Sequence, residues 1–330
     1  MTLHNDTTLF EEAILATAEY KQLPTIYVEK DYWVTLALHT LFTNAEGAYA
    51  VFKGGTALSK CYQVIERFSE DMDIVVLRQI EESNNQMKEK ITNVSKRISE
   101  ILPEITHELT VKMGMNRKTV HKYAQIFAGD FGQVRDYIVL DATWLGYAEP
   151  YTSAQISSFI TEMLIQKGQT HLLDKYGLQP FEVRVLKTER TICEKIMGLV
   201  RFSFDANPIT ALNDKVRHIY DLHKLLEINS LNQFFNSPEF EQMLLRVAND
   251  DVKSFKNNNR WLSNHPKTAM IFGDTTKTWQ ALRETYHSKF KFLVFGELPS
   301  ETAILNTLQK IAERLTSIEW TIELPTTPPQ

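Results

Sequence analysis

The stretch Val51–Leu77, VFKGGTALSKCYQVIERFSEDMDIVVL, decides how the chain is read. It joins two apolar runs. The first, Ala48–Phe52, is short and predicts a strand. Gly54 and Gly55 follow after Lys53, and GGTALSKCYQVIERF then shifts to a helical pattern, with Leu58, Tyr62 and Ile65 at i, i+4 and i+7. The second run, Asp73–Leu77, is β-branched and bounded by charge, which predicts a buried strand. Asp71 and Asp73 stand at its beginning.

Residues i and i+2 of a strand project to one face, so the two carboxylates would stand side by side. Like charges so placed repel, and beside a core they lose hydration. A divalent cation removes the difficulty, because Mg²⁺ prefers hard oxygen ligands and binds through carboxylates and substrate phosphates. An isolated D-x-D can equally be a polar loop ahead of a strand. The glycines add a second element. Without a Cβ, their backbone amides can approach an anion closely, and a helix N-terminus adds partial positive charge. Thr56 can donate its hydroxyl. The spacing is not that of a P-loop or a dinucleotide fingerprint, and a Gly-Gly turn can also serve only to make a tight corner.

A strand ending in Gly-Gly-Thr, a helix, and then R-x-S-x-D-x-D (Arg67, Ser69, Asp71, Asp73) entering a second strand resembles the nucleotidyltransferase superfamily that includes DNA polymerase β. Lys53–Val76 resembles more closely the AbiEii/AbiGii toxin family, the enzyme half of type IV toxin–antitoxin and phage-defence pairs. The segments EKDYWVTLAL (Glu29–Leu38), ERTICEKIMGL and RHIYDLHKLL are similar to that family too. The resemblance implies an α+β fold: a polymerase β-like core, with a mixed sheet and flanking helices, followed by a mostly helical C-terminal domain. It implies that Gly54, Gly55, Thr56, Arg67 and Ser69 bind the nucleotide and that Asp71 and Asp73 hold Mg²⁺ or Mn²⁺. It calls for a third carboxylate on a neighbouring strand, a setting that Asp141 in YIVLDATWL has; Asp141 can also be a strand-end acid reaching solvent. NTP is the implied substrate, the 3′ end of tRNA the implied acceptor, and an antitoxin the implied partner. Transfer to a protein hydroxyl or a small molecule, or a non-catalytic nucleotide-binding regulator, are the alternatives.

Two helical residues join the list. In TERTICEKIMGLVRF, Ile192, Lys195, Ile196 and Leu199 share one face. A lysine in an apolar stripe must snorkel or find an anion. The resemblance places a functional lysine in this segment, with Lys187 as competitor. It likewise suggests an active-site acid at Asp221, with Asp214 as alternative; Asp221 can also pair with Arg217 at i, i+4.

The chain has 330 residues, 43% hydrophobic and 23% charged, with a net charge of −5. That is enough for two domains of ordinary globular composition: an α/β core over 1–190 and a helical domain over 191–330. No apolar run approaches a membrane span. The first residues lack a signal-peptide plan, and two cysteines, Cys61 and Cys193, are expected as reduced thiols in a cytoplasmic protein. From Lys253 to Phe292 eight Lys/Arg face two acids. There KSFKNNNRWLSNHPK mixes cations with Phe255 and Trp261, a composition suited to RNA or to a solvated basic loop. Helices are expected over 8–20, 29–42, 81–102, 152–175 and most of the chain beyond 188. Strands are expected at ITHELTVKM, HKYAQIFA (121–128), 136–145 and 181–186, with a polar link around Gly114, Asn116 and Arg117.

Overall fold

The computed structural model describes residues 1–129, 134–145, 149–255 and 258–324. One compact unit comprises Met1–Gln63, Arg67–Trp144 and Tyr151–Leu186; a second comprises Val64–Glu66, Leu145–Pro150 and Lys187–Gln330.

The first unit begins with α1 (Thr7–Lys21) and α2 (Thr25–Phe42). Asp6 caps α1 through Leu9 N–H at 3.2 Å, and Gln22 ends it in the left-handed conformation. Pro24 then precedes α2, where its fixed φ and missing N–H cost nothing. Strand β1 (Ala50–Lys53) runs directly into α3 (Gly54–Lys60), and β2 (Met72–Val76) returns antiparallel to β1. Helix α4 (Asn84–Ser99) opens with a Ser83/Gln86 capping box and buries the stripe Met87, Ile91, Val94, Ile98. Then come β3 (Glu104–Ile105), β4 (Val111–Lys112), β5 (Asn116–His121), β6 (Ile138–Thr143), β7 (Tyr151–Ile156), α5 (Phe159–Gln166), α6 (His171–Tyr176) and β8 (Phe181–Leu186). The sheet has the order β3-β5-β6-β2-β1-β8-β7, with β4 on β5. It is mixed: β2–β6 and β1–β8 are parallel, and β1–β2, β5–β6 and β7–β8 are antiparallel. Helix α2 is buried on every side from Ile26 to Leu38 and forms the middle of the core.

The second unit is helical: α7 (Thr188–Ser203), α8 (Pro208–Asn213), α9 (Val216–Leu226), α10 (Asn229–Phe235), α11 (Pro238–Ser254), α12 (Met270–Gly273), α13 (Thr275–His287) and α14 (Glu301–Thr316). Helix α7 packs on α8, α9 and α11, and α9 packs on α14. The α+β class expected from the sequence, a mixed sheet with flanking helices and a helical C-terminal region, is what the chain has.

Three local expectations fail. The helix after the glycines stops at Lys60, so Tyr62 and Ile65 lie beyond it; Gln63 takes a positive φ of 53° that no helix interior allows. The strand expected at 121–128 ends at His121, and the polar stretch Asn116–His121 is the strand instead. The helix expected from 152 begins at Phe159, because Tyr151–Ile156 forms the edge strand β7. Both missed strands are polar on an exposed or site-facing side, so neither carries the apolar run that announces a buried strand.

Candidate active site

One row of charges crosses four neighbouring strands of the first unit. Lys53 on β1 is the register partner of Asp73 on β2. Asp73 is the partner of Asp141 on β6, and Asp141 that of Lys118 on β5. Register partners project to the same face, with strands about 4.8 Å apart. The row therefore reads plus, minus, minus, plus. Lys118 Nζ lies 3.6 Å from Asp141. Asp73 is half-buried, and burial first, then Asp71 and Asp141, push its carboxyl up to about 7. The sheet thus gathers Asp71, Asp73 and Asp141 at one place.

The glycine turn closes over this row. Gly54 has φ 79°, open to glycine at little cost, and a Cβ there would overlap the Asp73 carboxylate. A Cβ on Gly55 would come within 2.5 Å of Arg67 Nη2 and 2.9 Å of Ser69 Oγ. Neither position has room for a side chain. Thr56 is 1% exposed; its hydroxyl donates to the Asp71 carbonyl at 2.6 Å and lies 3.0 Å from Ser69 Oγ. The threonine therefore ties α3 to the acidic motif. Arg67 is also buried, and its Nη1 donates to the Phe68 carbonyl at 3.2 Å. With seven residues, α3 brings less dipole than the sequence reading supposed, so the glycine backbone is what remains to meet an anion.

Sequence reasoning missed the brace behind this motif. Three consecutive charges of α2, Glu29, Lys30 and Asp31, are buried. The Glu29 carboxylate accepts the N–H groups of Ile126 and Phe127 at 2.6 and 3.0 Å. Lys30 Nζ lies 2.5 Å from Glu70 and donates to the Arg135 carbonyl. Asp31 pairs with Lys60 at 2.5 Å and accepts Phe159 N–H at 2.7 Å. Tyr27 stacks on Phe68, ring centroids 4.3 Å apart. One helix thus fixes the loop at 126–127, the acidic motif and the end of α3. Arg135, whose Nη1 donates to Asp71 Oδ1 at 2.7 Å, was missed as well. The available signal was three charges in succession inside an otherwise apolar helix.

In the second unit Lys195 and Asp221 meet. Lys195 Nζ lies 2.7 Å from Asp221 Oδ2, with side chains 7% and 0% exposed. The anion that the lysine requires on its apolar stripe is supplied by α9. The competitors Lys187 and Asp214 are exposed. His218, one turn before Asp221, is a further residue the sequence did not flag. Burial and the nearby Lys195 and Lys215 hold its imidazole well below the usual range, and its Nδ1 has no hydrogen-bond partner among the described residues. The aromatics proposed to meet RNA are packed instead: Trp261 is buried and Phe255 lies under Arg201, 4.3 Å from the ring centroid. Lys256 lies outside the described residues. Among the described residues the exposed aromatics are Tyr20, Tyr151, Phe292 and Phe295.

Among the described residues no set of three or more His, Cys, Asp or Glu side chains is gathered tightly enough to form a ready-made metal cage. Asp71 and Asp73 nevertheless fit a hard divalent cation: they offer oxygen donors, and Asp73 is crowded by like charge that a cation relieves. No helix among the described residues is long and apolar enough to cross a membrane.

The glycine turn closes over carboxylates on the next strand of a mixed sheet, and the chain is a nucleotidyltransferase. The AbiEii family model, described as the nucleotidyl transferase AbiEii toxin of type IV toxin–antitoxin systems, matches residues 36–307, and the chain belongs to that family. An antitoxin partner and an NTP substrate go with membership. No curated protein matches the chain. Among solved structures, one from H. pylori described as a nucleotidyltransferase is similar at 15% identity, covering 87% of this chain and 95% of that one. Its TM-score of 0.37 is too low to carry an argument.

Proposed function

We propose that the chain transfers a nucleoside monophosphate from an NTP to the 3′ end of tRNA and so blocks translation. Asp71 and Asp73 would hold Mg²⁺ or Mn²⁺, with Asp141 as the third carboxylate. The observation that carries the reading is the pair Asp73 and Asp141, abreast on β2 and β6 beside a turn with no room for a side chain. Two acids so placed repel, and a cation bound to them would relieve that repulsion. The metal, when bound, supplies charge that offsets the phosphates.

The remaining work belongs to the chain. Gly54 and Gly55 let the turn close on Asp73, Arg67 and Ser69, with their backbone to meet the triphosphate, and Lys53 and Lys118 flank the acids with positive charge. Thr56 holds the backbone of Asp71 in place. The acceptor hydroxyl oxygen bonds to the α-phosphorus, the bond to the bridging oxygen breaks, pyrophosphate leaves and the hydroxyl gives up its proton. Alignment is the main contribution of the protein. We assign Lys195 to neutralising phosphate charge and Asp221 to holding the lysine. The tRNA acceptor, the cytoplasmic location and the role in phage defence rest on the family's character as translation-blocking toxins.

The test is incubation of the purified chain with each labelled NTP, Mg²⁺ and total RNA, beside Asp73→Ala. Label on tRNA from the wild type alone is expected. Label on protein overturns the RNA acceptor, and no label from any NTP overturns the transfer itself.

A further inference from the structure

Arg135 is held differently from the other cations near the carboxylates. Its backbone is fixed on both sides. The N–H donates to Glu70 Oε1 at 3.2 Å, and the carbonyl accepts from Lys30 Nζ at 2.5 Å. Lys30 and Glu70 form an ion pair with side chains 0% and 11% exposed. Burial draws Lys30 down and Glu70 up, and each opposes the other's shift. Keeping such a pair out of water is costly, and it is maintained where it fixes a geometry. What it fixes here is the Cα of Arg135.

The side chain is free by comparison. It is 34% exposed, and its ion pair with Asp71 uses Nη1. A guanidinium carries five N–H donors in a planar fork that matches phosphate oxygens two at a time. The setting also asks for such a group. A triphosphate approaching Asp71, Asp73 and Asp141 meets three carboxylates, while Lys53 and Lys118 are fixed on strands at either end of the row. Arg135 combines an anchored backbone with a partly exposed head already beside Asp71.

We propose that Arg135 is a triphosphate-binding residue, turning its guanidinium from Asp71 to the phosphate oxygens, and that Lys30 and Glu70 are positioning residues that set where it turns from. The inference rests on the NTP-dependent reading above. It explains why the fold buries Lys30 against Glu70, the residue before Asp71.

The test measures binding of ribose-labelled fluorescent NTP and NMP analogues, with Mg²⁺, to the full chain and to Arg135→Ala, Arg135→Lys and Glu70→Gln. Arg135→Ala weakens NTP binding about 10- to 100-fold, as expected for a charge-assisted guanidinium–phosphate contact. NMP affinity changes by less than about threefold, because the lost contact is to the outer phosphates. Arg135→Lys recovers part of the loss, keeping the charge without the fork. Glu70→Gln raises KM for NTP more than it lowers kcat. Should Glu70→Gln fold poorly, the Arg135 variants carry the test, since that side chain is only partly buried. NTP binding by Arg135→Ala equal to or tighter than wild type overturns the inference, leaving Arg135 a counter-ion of Asp71. Equal weakening of NTP and NMP overturns it too, as a structural effect. A wild type that binds no NTP removes the proposed function as well.

Discussion

Two acids, the half-buried Asp73 in the sheet and the buried Asp221 in the helical unit, are treated in opposite ways. Asp73 has another acid abreast of it on β6, and the lysines of its row lie to either side of the acidic pair. Its carboxyl is pushed up to about 7. Asp221 has a lysine 2.7 Å away and no exposed surface. The first arrangement is left open to a cation. The second is closed on itself, so it supports its fold whatever else it does. Charge at Asp73 works against stability, whereas charge at Asp221 is matched by the lysine beside it.

The largest effect should come from Asp73→Ala. Transfer from labelled NTP is expected to fall by about 10³-fold or more, the scale of losing a principal electrostatic element of a site. Urea denaturation should show no loss of stability, because the substitution removes repulsion from Asp71 and Asp141. An Asp73→Ala protein that transfers like wild type, or that unfolds much more easily, breaks the contrast.

Asp221→Ala should behave the other way. It leaves Lys195 buried and unpaired, with a cost of about 3–5 kcal/mol in denaturant titration. The double variant Lys195→Met/Asp221→Leu should recover most of that loss, since apolar replacements of a buried pair are often neutral. Transfer by the folded double variant then separates the roles. A large loss assigns the pair to catalysis, and wild-type transfer leaves it to the fold.

The sequence made the D-x-D, the glycine turn and Asp141 legible, because each is a local departure from an apolar pattern. It could also place Lys195 on an apolar stripe and ask for an anion. It could not show that the anion is Asp221, since nothing local couples two residues on different helices. Strand β5 was hidden because Asn116, Arg117 and Lys118 look like a link between strands, while their pairing with β6 makes them part of the charged row. The Glu29–Lys30–Asp31 brace was visible as letters and silent as function, because the partners of the three charges lie at 60, 70, 126, 127, 135 and 159.

Gly54→Ala tests how closely the turn and the row are fitted. The left-handed φ alone costs about 1–2 kcal/mol for a residue with a Cβ. The added atom would also displace the Asp73 carboxylate, so transfer should fall about tenfold or more, in the manner of a misplaced reacting group. Gly114→Ala is the control, because a Cβ there meets nothing within 4 Å among the described residues. Equal behaviour of the two variants in the transfer assay would mean that the turn is only a corner.

The smallest effect sharpens the contrast most finely. Lys118 and Lys195 are both lysines paired to a proposed site acid, but their surroundings differ. Lys118 and Asp141 are 35% and 28% exposed at 3.6 Å, whereas Lys195 and Asp221 are almost wholly enclosed at 2.7 Å. An exposed pair is screened and contributes about 0–1 kcal/mol. Lys118→Met should therefore shift the denaturation midpoint little, while Lys195→Met shifts it by an amount near that of Asp221→Ala. If Lys118 serves the row by holding positive charge beside the acids, its loss should raise KM for NTP severalfold and leave kcat nearly unchanged, the pattern of a lost uniform binding contribution. A large stability loss in Lys118→Met would mean that the outer cations are structural partners of the acids. The row would then be closed like the helical pair, and the distinction between the two regions would fall.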